Sequence, residues 1–326
     1  MKATAVGPAN IALIKYWGKK DEIWRIPENG SISINLSNLT TTTTVEFADT
    51  FSSDRVIVNE KLLSSQQLSR VIKHIDRIRK LAGSNQKARV VSTFNFPMAT
   101  GLSSSASGFA ALTVAGVKAA GLHFSEKELS ILARIGSGSA CRSIPSGFVE
   151  WLDGDTNETS YAISIFPPGY WDIVDLAVVV SEDVKEVPSS QGQKLHATSP
   201  FFATRLRYID EKIAQMKQLI KNRNFLQFGE LVESEALELH AIMLTSQPSL
   251  IYWTSGTLAL MKLTKIWRSE GLPVYFTINT GQNIHLLCEG KNAAILKLKL
   301  QKLDFVKQII VNQPAVGARL TDKHLF

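Results

Sequence analysis

Ala88-Arg89-Val90-Val91-Ser92-Thr93-Phe94-Asn95-Phe96, then Pro97-Met98-Ala99-Thr100-Gly101-Leu102-Ser103-Ser104-Ser105-Ala106-Ser107-Gly108, then Phe109-Ala110-Ala111-Leu112-Thr113-Val114-Ala115-Gly116-Val117-Lys118-Ala119-Ala120 is the stretch around which the chain is organised. The first run alternates as a strand does. The last is apolar on most sides and reads as a buried helix. Between them lies a loop of glycine and small hydroxyl residues. A helix start leaves amide groups without intrahelical partners and carries the positive end of the dipole, so such a loop can cradle a phosphate. Taken alone it fits equally well a small-residue helix cap with no ligand. No Gly-Lys-Ser/Thr follows the first glycine at the spacing of the common nucleotide loop.

The chain has 326 residues, which suits two packed domains better than one core. With 44% hydrophobic and 20% charged residues it is globular, not disordered. No apolar run reaches the length of a membrane helix, and Met1 to Pro8 lacks the apolar core of a secretory signal. Cys141 and Cys288 are too few for a disulfide framework. A cytoplasmic protein with no membrane partner is expected. The net charge of +7 is spread along the chain without a basic, aromatic-interleaved stripe. It favours small phosphorylated ligands over nucleic acid. The histidines form no pair at ligand spacing, so no protein metal site is expected.

Along the chain, residues 2–16 read as a strand running into Lys15-Tyr16-Trp17-Gly18-Lys19-Lys20-Asp21, where cations crowd against aromatics. Two strands are expected at 31–36 and 40–47 and a helix at 65–81. Ser125 and Glu128 have the spacing of a capping box for the next helix. That helix ends in a second loop of small residues, Gly136-Ser137-Gly138-Ser139-Ala140-Cys141-Arg142-Ser143, which closes on a guanidinium able to hold a carboxylate or phosphate bidentately. The polar segment Lys185 to Gly192 is taken as the crossing between domains 1–187 and 188–326. Helical stripes then cover Leu206 to Ile220, 228–243 and 255–267, and two strands bracket the turn Asn279-Thr280-Gly281-Gln282-Asn283. Helices against an antiparallel sheet make the C-terminal part an α+β sandwich.

Four separated motifs agree on a family. Pro8-Ala9-Asn10-Ile11-Ala12-Leu13-Ile14-Lys15-Tyr16-Trp17-Gly18-Lys19 closely resembles the N-terminal signature of the mevalonate diphosphate decarboxylases. These belong to the small-molecule kinase superfamily of galactokinase, homoserine kinase and mevalonate kinase. Gly101-Leu102-Ser103-Ser104-Ser105 resembles that superfamily's ATP loop, residues 136–143 resemble the decarboxylase motif, and Ser189-Ser190-Gln191-Gly192 resembles its substrate segment. The resemblance covers essentially the whole chain. It implies an α+β fold of two domains, an N-terminal ribosomal-protein-S5-like one and a C-terminal ferredoxin-like one, with the active site in the cleft. It also implies a homodimer.

The reaction implied is ATP-dependent phosphorylation of a tertiary 3-hydroxyl followed by loss of that phosphate with CO2, with magnesium carried on ATP. By resemblance, Gly101, Leu102, Ser103, Ser104 and Ser105 hold ATP. Lys15 stabilises charge at the transferring phosphoryl, and Arg142 clamps the C1 carboxylate. Tyr16, Trp17, Gly18, Lys19, Lys73, Ser137, Gly138, Ser139, Ala140, Cys141, Ser190 and Gln191 complete the substrate side. The family carries an aspartate in Thr-x-Asp-Ala-Gly-Pro-Asn facing the 3-hydroxyl. Here Thr277-Ile278-Asn279-Thr280-Gly281-Gln282-Asn283 puts Asn279 at that position. An amide orients a hydroxyl but cannot accept its proton. Gln191 stands where some diphosphate-specific members carry arginine or threonine. Mevalonate 5-diphosphate and 5-phosphate are therefore both open as substrates, as are a 3-kinase without decarboxylation and a ligand-binding homologue of impaired activity.

Overall fold

The computed structural model describes residues 1–63, 65–98 and 100–326; Ala99, inside the serine-rich stretch, lies outside them. In chain order the elements are β1 (Lys2–Ile14), β2 (Ser31–Ala48), β3 (Arg55–Val58), β4 (Lys61–Leu62), α1 (Ser65–Leu81), β5 (Lys87–Phe94), α2 (Ser104–Ala119), α3 (Glu126–Gly136), β6 (Phe148–Leu152), β7 (Tyr161–Phe166) and β8 (Ile173–Val179). There follow α4 (Ser189–Gly192), α5 (Phe202–Asn222), α6 (Phe225–Thr245), α7 (Ser255–Ser269), β9 (Tyr275–Thr277), β10 (Ile284–Glu289), α8 (Gly290–Gln301), β11 (Gln308–Asn312) and β12 (Arg319–Thr321).

Two sheets organise them, as the expected two-domain α+β fold requires. The first has the order β12-β1-β2-β5-β3-β4, with β6 and β7 added beside the start of β2. Residues 31–48 form one continuous strand instead of the expected two. Its register against β1 shifts between Pro8 and Asn10, so the strand bends without breaking. Its first half pairs β6 and its second half β5. Alanines and valines of α2 pack on this sheet with Val45, Phe47 and Val90, and Ile75 and Ile78 of α1 join the same core.

The second sheet, β11-β8-β10-β9, is antiparallel throughout. Its central strand β8 is buried along its whole length and shares a core with α5, α6 and α7. The chain thus changes sheets between Phe166 and Ile173, upstream of the crossing expected at 187/188. That expectation followed composition, whereas sheet membership is set by which strands find backbone partners. The capping box at Ser125 and Glu128 is present. No helix among the described residues is long and apolar enough to cross a membrane.

Candidate active site

A cavity of about 380 Å³ opens between the two sheets' units, bounded by the end of β1, the α2 N-terminus, the turn after α3, the α4 segment and the turn after β9. It begins with Lys15. β1 runs out at Ile14, and Lys15 is 1% exposed. Its Nζ donates to the Ala12 carbonyl at 2.7 Å, Thr277 Oγ1 at 2.6 Å and Asn279 Oδ1 at 3.3 Å. Burial pulls its pKa down to about 7; Arg142 and Arg205 push the same way while Glu235 resists. The main chain of Lys15 is clamped too. Its N–H donates to Glu235 Oε2 at 3.0 Å, and its carbonyl accepts from Asn29 Nδ2 at 2.9 Å and Arg205 Nη2 at 2.8 Å.

Asn279 stands opposite. Its Oδ1 faces Lys15, and its Nδ2 donates to Ser103 Oγ at 3.0 Å. Its carbonyl accepts from His240 Nε2 at 3.0 Å, and burial keeps that ring neutral, with a pKa pulled down to about 3. The turn abuts the serine loop backbone to backbone. A Cβ at Gly281 would fall 2.4 Å from the Gly101 Cα, and Gly101 adopts φ +96°. Only glycine permits both the approach and the angle. Asn283 locks the turn by donating to the Thr100 carbonyl at 3.1 Å.

Ser103 sits at the head of α2 with φ +60° and no side-chain cap, so its hydroxyl is turned to Asn279 and not to its own helix. Gly101, Ser103, Ser104 and Ser105 line the cavity. Leu102 is buried in the core beneath. Ser105 Oγ shares a hydrogen bond of 2.9 Å with Ser137 Oγ, which joins the two small-residue loops. Of the second loop, Ser137, Gly138, Ser139 and Arg142 line the cavity, while Ala140 and Cys141 are buried in hydrophobic clusters. Burial raises the Cys141 thiol to about 12, which makes it inert. Arg142 is 3% exposed, and its Nη1 donates to Ser31 Oγ at 2.6 Å and its Nη2 to Asn10 Oδ1 at 3.2 Å. Its Nε is buried with no partner among the described residues.

Several expected contacts are redistributed. Tyr16 and Trp17 line the cavity, and Tyr16 OH donates to Gln193 Oε1 at 2.9 Å. Gly18 forms a left-handed turn off the cavity. Lys19 is off it as well, its Nζ held by both Glu22 oxygens at 2.7 and 2.6 Å. Lys73 is exposed on α1, because His74 anchors the helix by bonding Thr113 Oγ1 at 2.8 Å and turns Lys73 outward. Arg70, one turn earlier, lines the cavity instead. Ser190 lines it, but Gln191 is exposed; the short α4 helix turns Gln193 inward. Lys185, read as linker, lines the cavity too, donating to Ser189 Oγ and the Thr280 carbonyl, each at 2.7 Å. Burial lowers its pKa to about 8.

The lining carries the cations Lys15, Arg25, Arg70, Arg142 and Lys185, and no carboxylate among the described residues. No described group of three or more His, Cys, Asp or Glu side chains could hold a metal ion. A wide apolar lobe (Val56, Val58, Val71, Val90, Phe94, Phe109) adjoins the serines. Such a site suits a multiply anionic substrate beside a flat apolar group.

Comparison with known proteins bears on this geometry. A family model for the diphosphomevalonate decarboxylase-like N-terminal domain matches residues 7–162, and one for the mevalonate 5-diphosphate decarboxylase C-terminal domain matches 175–316. The diphosphomevalonate decarboxylase of Debaryomyces hansenii is 36% identical over 310 residues, 89% of this chain and 80% of the relative. The crystal structure of mevalonate diphosphate decarboxylase from Staphylococcus aureus is 39% identical, with a TM-score of 0.93 over 98% of each chain. A further structure, described as MDDEF in complex with MVAPP, AMPPCP and magnesium, is 37% identical, with a TM-score of 0.93 over 99% of each chain. The first family model ends at 162 and the second begins at 175, so the change of sheet between Phe166 and Ile173 lies between them. This chain therefore belongs to the mevalonate diphosphate decarboxylase family.

Proposed function

We propose that the protein catalyses ATP-dependent decarboxylation of mevalonate 5-diphosphate to isopentenyl diphosphate, by way of phosphorylation at the 3-hydroxyl. The observation that carries this is the meeting of Lys15, Arg142, Asn279 and the α2 serines on one cation-lined cavity. Phosphoryl transfer asks for positioning and charge neutralisation more than covalent chemistry.

The hydroxyl-lined start of α2 (Ser103, Ser104, Ser105) holds the phosphates of ATP, and the apolar lobe takes its base. These hydroxyls, with no protein carboxylate beside them, fit a magnesium ion that arrives on the nucleotide. Bound there, it would neutralise phosphate charge. Lys15 lies between the serine loop and the acceptor and offsets charge on the transferring phosphoryl. Asn279 orients the 3-hydroxyl and takes no proton; in a loose transition state the hydroxyl proton leaves late and can pass to a phosphoryl oxygen. Arg142 holds the C1 carboxylate in the water-poor floor of the site. When the C3–O bond breaks, the pair leaves with phosphate. The C1–C2 pair then forms the new double bond, and CO2 departs.

The resemblance also supports a cytoplasmic homodimer; sedimentation measures the assembly and cell fractionation the location. The activity is tested by incubating the purified protein with ATP, magnesium and mevalonate 5-diphosphate and identifying products by mass spectrometry. Isopentenyl diphosphate is the expected product. Its absence, with both substrates bound, overturns the reading.

A further inference from the structure

The cations expected to hold the substrate's 5-substituent are not free on the cavity, since Lys19 is tied to Glu22 and Lys73 is on the outer face of α1; Gln191, where some members carry arginine, is neutral and exposed. Their place is taken by a residue that no motif singled out. Arg25 lines the cavity from the loop after β1 and adopts φ +53°, a left-handed conformation that a long side chain rarely takes unless its surroundings impose it. Its Nε donates to the Ile135 carbonyl at 3.0 Å, while Arg70 Nη2 reaches the next carbonyl, Gly136, at 3.4 Å. Two guanidiniums thus hang on consecutive carbonyls at the end of α3. Arg70 Nη2 also lies 3.4 Å from Ser105 Oγ, which bonds Ser137.

We infer that Arg25 and Arg70 form the clamp for the outer phosphate of the 5-diphosphate, and that Arg25 is the residue that makes the site specific for diphosphate over monophosphate. This rests on the decarboxylase reading and supplies its substrate specificity. Arg25 has no ion-pair partner among the described residues, and Arg70 has none either. The two repel each other: burial and then the charge of Arg25 bring Arg70 down to about 10. Like charges held together without a counter-ion are relieved by a bound anion. Arg25 is anchored through Nε, which leaves the terminal nitrogens of its fork for two phosphate oxygens.

The experiment compares wild type, Arg25→Met and Arg25→Lys. KM is measured for mevalonate 5-diphosphate and for ATP, and calorimetry follows inorganic pyrophosphate and orthophosphate binding to ADP-saturated protein. Arg25→Met should raise the KM for mevalonate 5-diphosphate about thirtyfold, the worth of one charged bidentate contact. The KM for ATP and kcat should stay within about twofold, the reach of a group that touches neither ATP nor the reacting carbon. Pyrophosphate binding should weaken in parallel and orthophosphate binding hardly change. Arg25→Lys, which keeps charge but loses the fork, should fall between, and it carries the test should the methionine variant not fold. An unchanged KM for the diphosphate in an active wild-type background overturns the clamp. So does equal weakening of pyrophosphate and orthophosphate. A wild type that binds pyrophosphate but turns over no phosphorylated mevalonate overturns the decarboxylase reading and leaves the clamp standing.

Discussion

Replacing Lys15 by methionine should make the protein more stable at neutral pH while removing its activity. Lys15 is almost wholly buried, and its pKa falls from 10.5 to about 7. A cation whose folded pKa lies below its unfolded one costs folding free energy in full wherever both states hold the proton, here below about pH 7. Between pH 7 and 10.5 the unfolded chain binds the proton and the folded one does not, so that cost fades as pH rises. At about 1.4 kcal/mol per unit, the charge costs about 5 kcal/mol at pH 6.5. Methionine keeps the length of the side chain and abolishes the charge, at the loss of hydrogen bonds to Ala12, Thr277 and Asn279 worth about 1 kcal/mol each. A net gain of about 2 kcal/mol remains at pH 6.5, and by about pH 9 the sign has reversed to a net loss of about 1 kcal/mol. Glu235 is not orphaned by the change, since Arg205 and Lys212 still hold it at 2.8 and 3.0 Å. Urea unfolding of the ligand-free protein at the two pH values, beside a CO2-release assay, makes the measurement. A variant less stable at pH 6.5, or a difference that does not change with pH, would mean that Lys15 is not buried at a cost as a cation.

Asn279→Asp should raise turnover by about a hundredfold, because it supplies a proton acceptor where an amide now stands. It should also move the alkaline fall of kcat/KM, set by loss of the Lys15 proton near pH 7, upward by about one unit; unchanged kinetics and an unmoved limb count against both roles. Arg142→Lys loses the fork that Asn10 and Ser31 aim. CO2 release should drop about a hundredfold, and ADP formation should fall less; an equal fall in both would place Arg142 in the transfer step instead. Chelation with EDTA should abolish ADP formation while leaving the melting temperature of the ligand-free protein unchanged, because no described cluster of protein ligands could hold a metal. A lower melting temperature would reveal a structural ion.

What the sequence discloses about this molecule is mostly what short-range chemistry fixes. The Ser125–Glu128 capping box and the period of α1 depend on neighbours three or four residues away, and both are found in place, while the small-residue stretch read as a loop at 136–143 folds largely into a short 3-10 helix at Gly138–Ser143. The failures share a different cause. Lys73 and Arg70 both lie on the charged side of α1; the one that reaches the cavity is decided by the bond from His74 to Thr113 on another helix. Arg25 is invisible as a site residue because its direction comes from a left-handed backbone angle in an irregular loop. Composition places β8 with the first half of the chain, whereas its sheet partners, β10 and β11, lie far along the chain. Lys15 was legible as a residue, but its lowered pKa was not, since that follows first from its burial between separate elements and then from Arg142 and Arg205, with Glu235 opposing.

The most direct measurement is a single-turnover time course with excess enzyme, ATP, magnesium and mevalonate 5-diphosphate, in which ADP and CO2 are followed separately. One CO2 is expected for each ADP, with ADP appearing first or together with it. ADP without CO2 would show a kinase that stops at the 3-phosphate. Binding of both substrates with neither product would show a protein that holds these ligands without converting them.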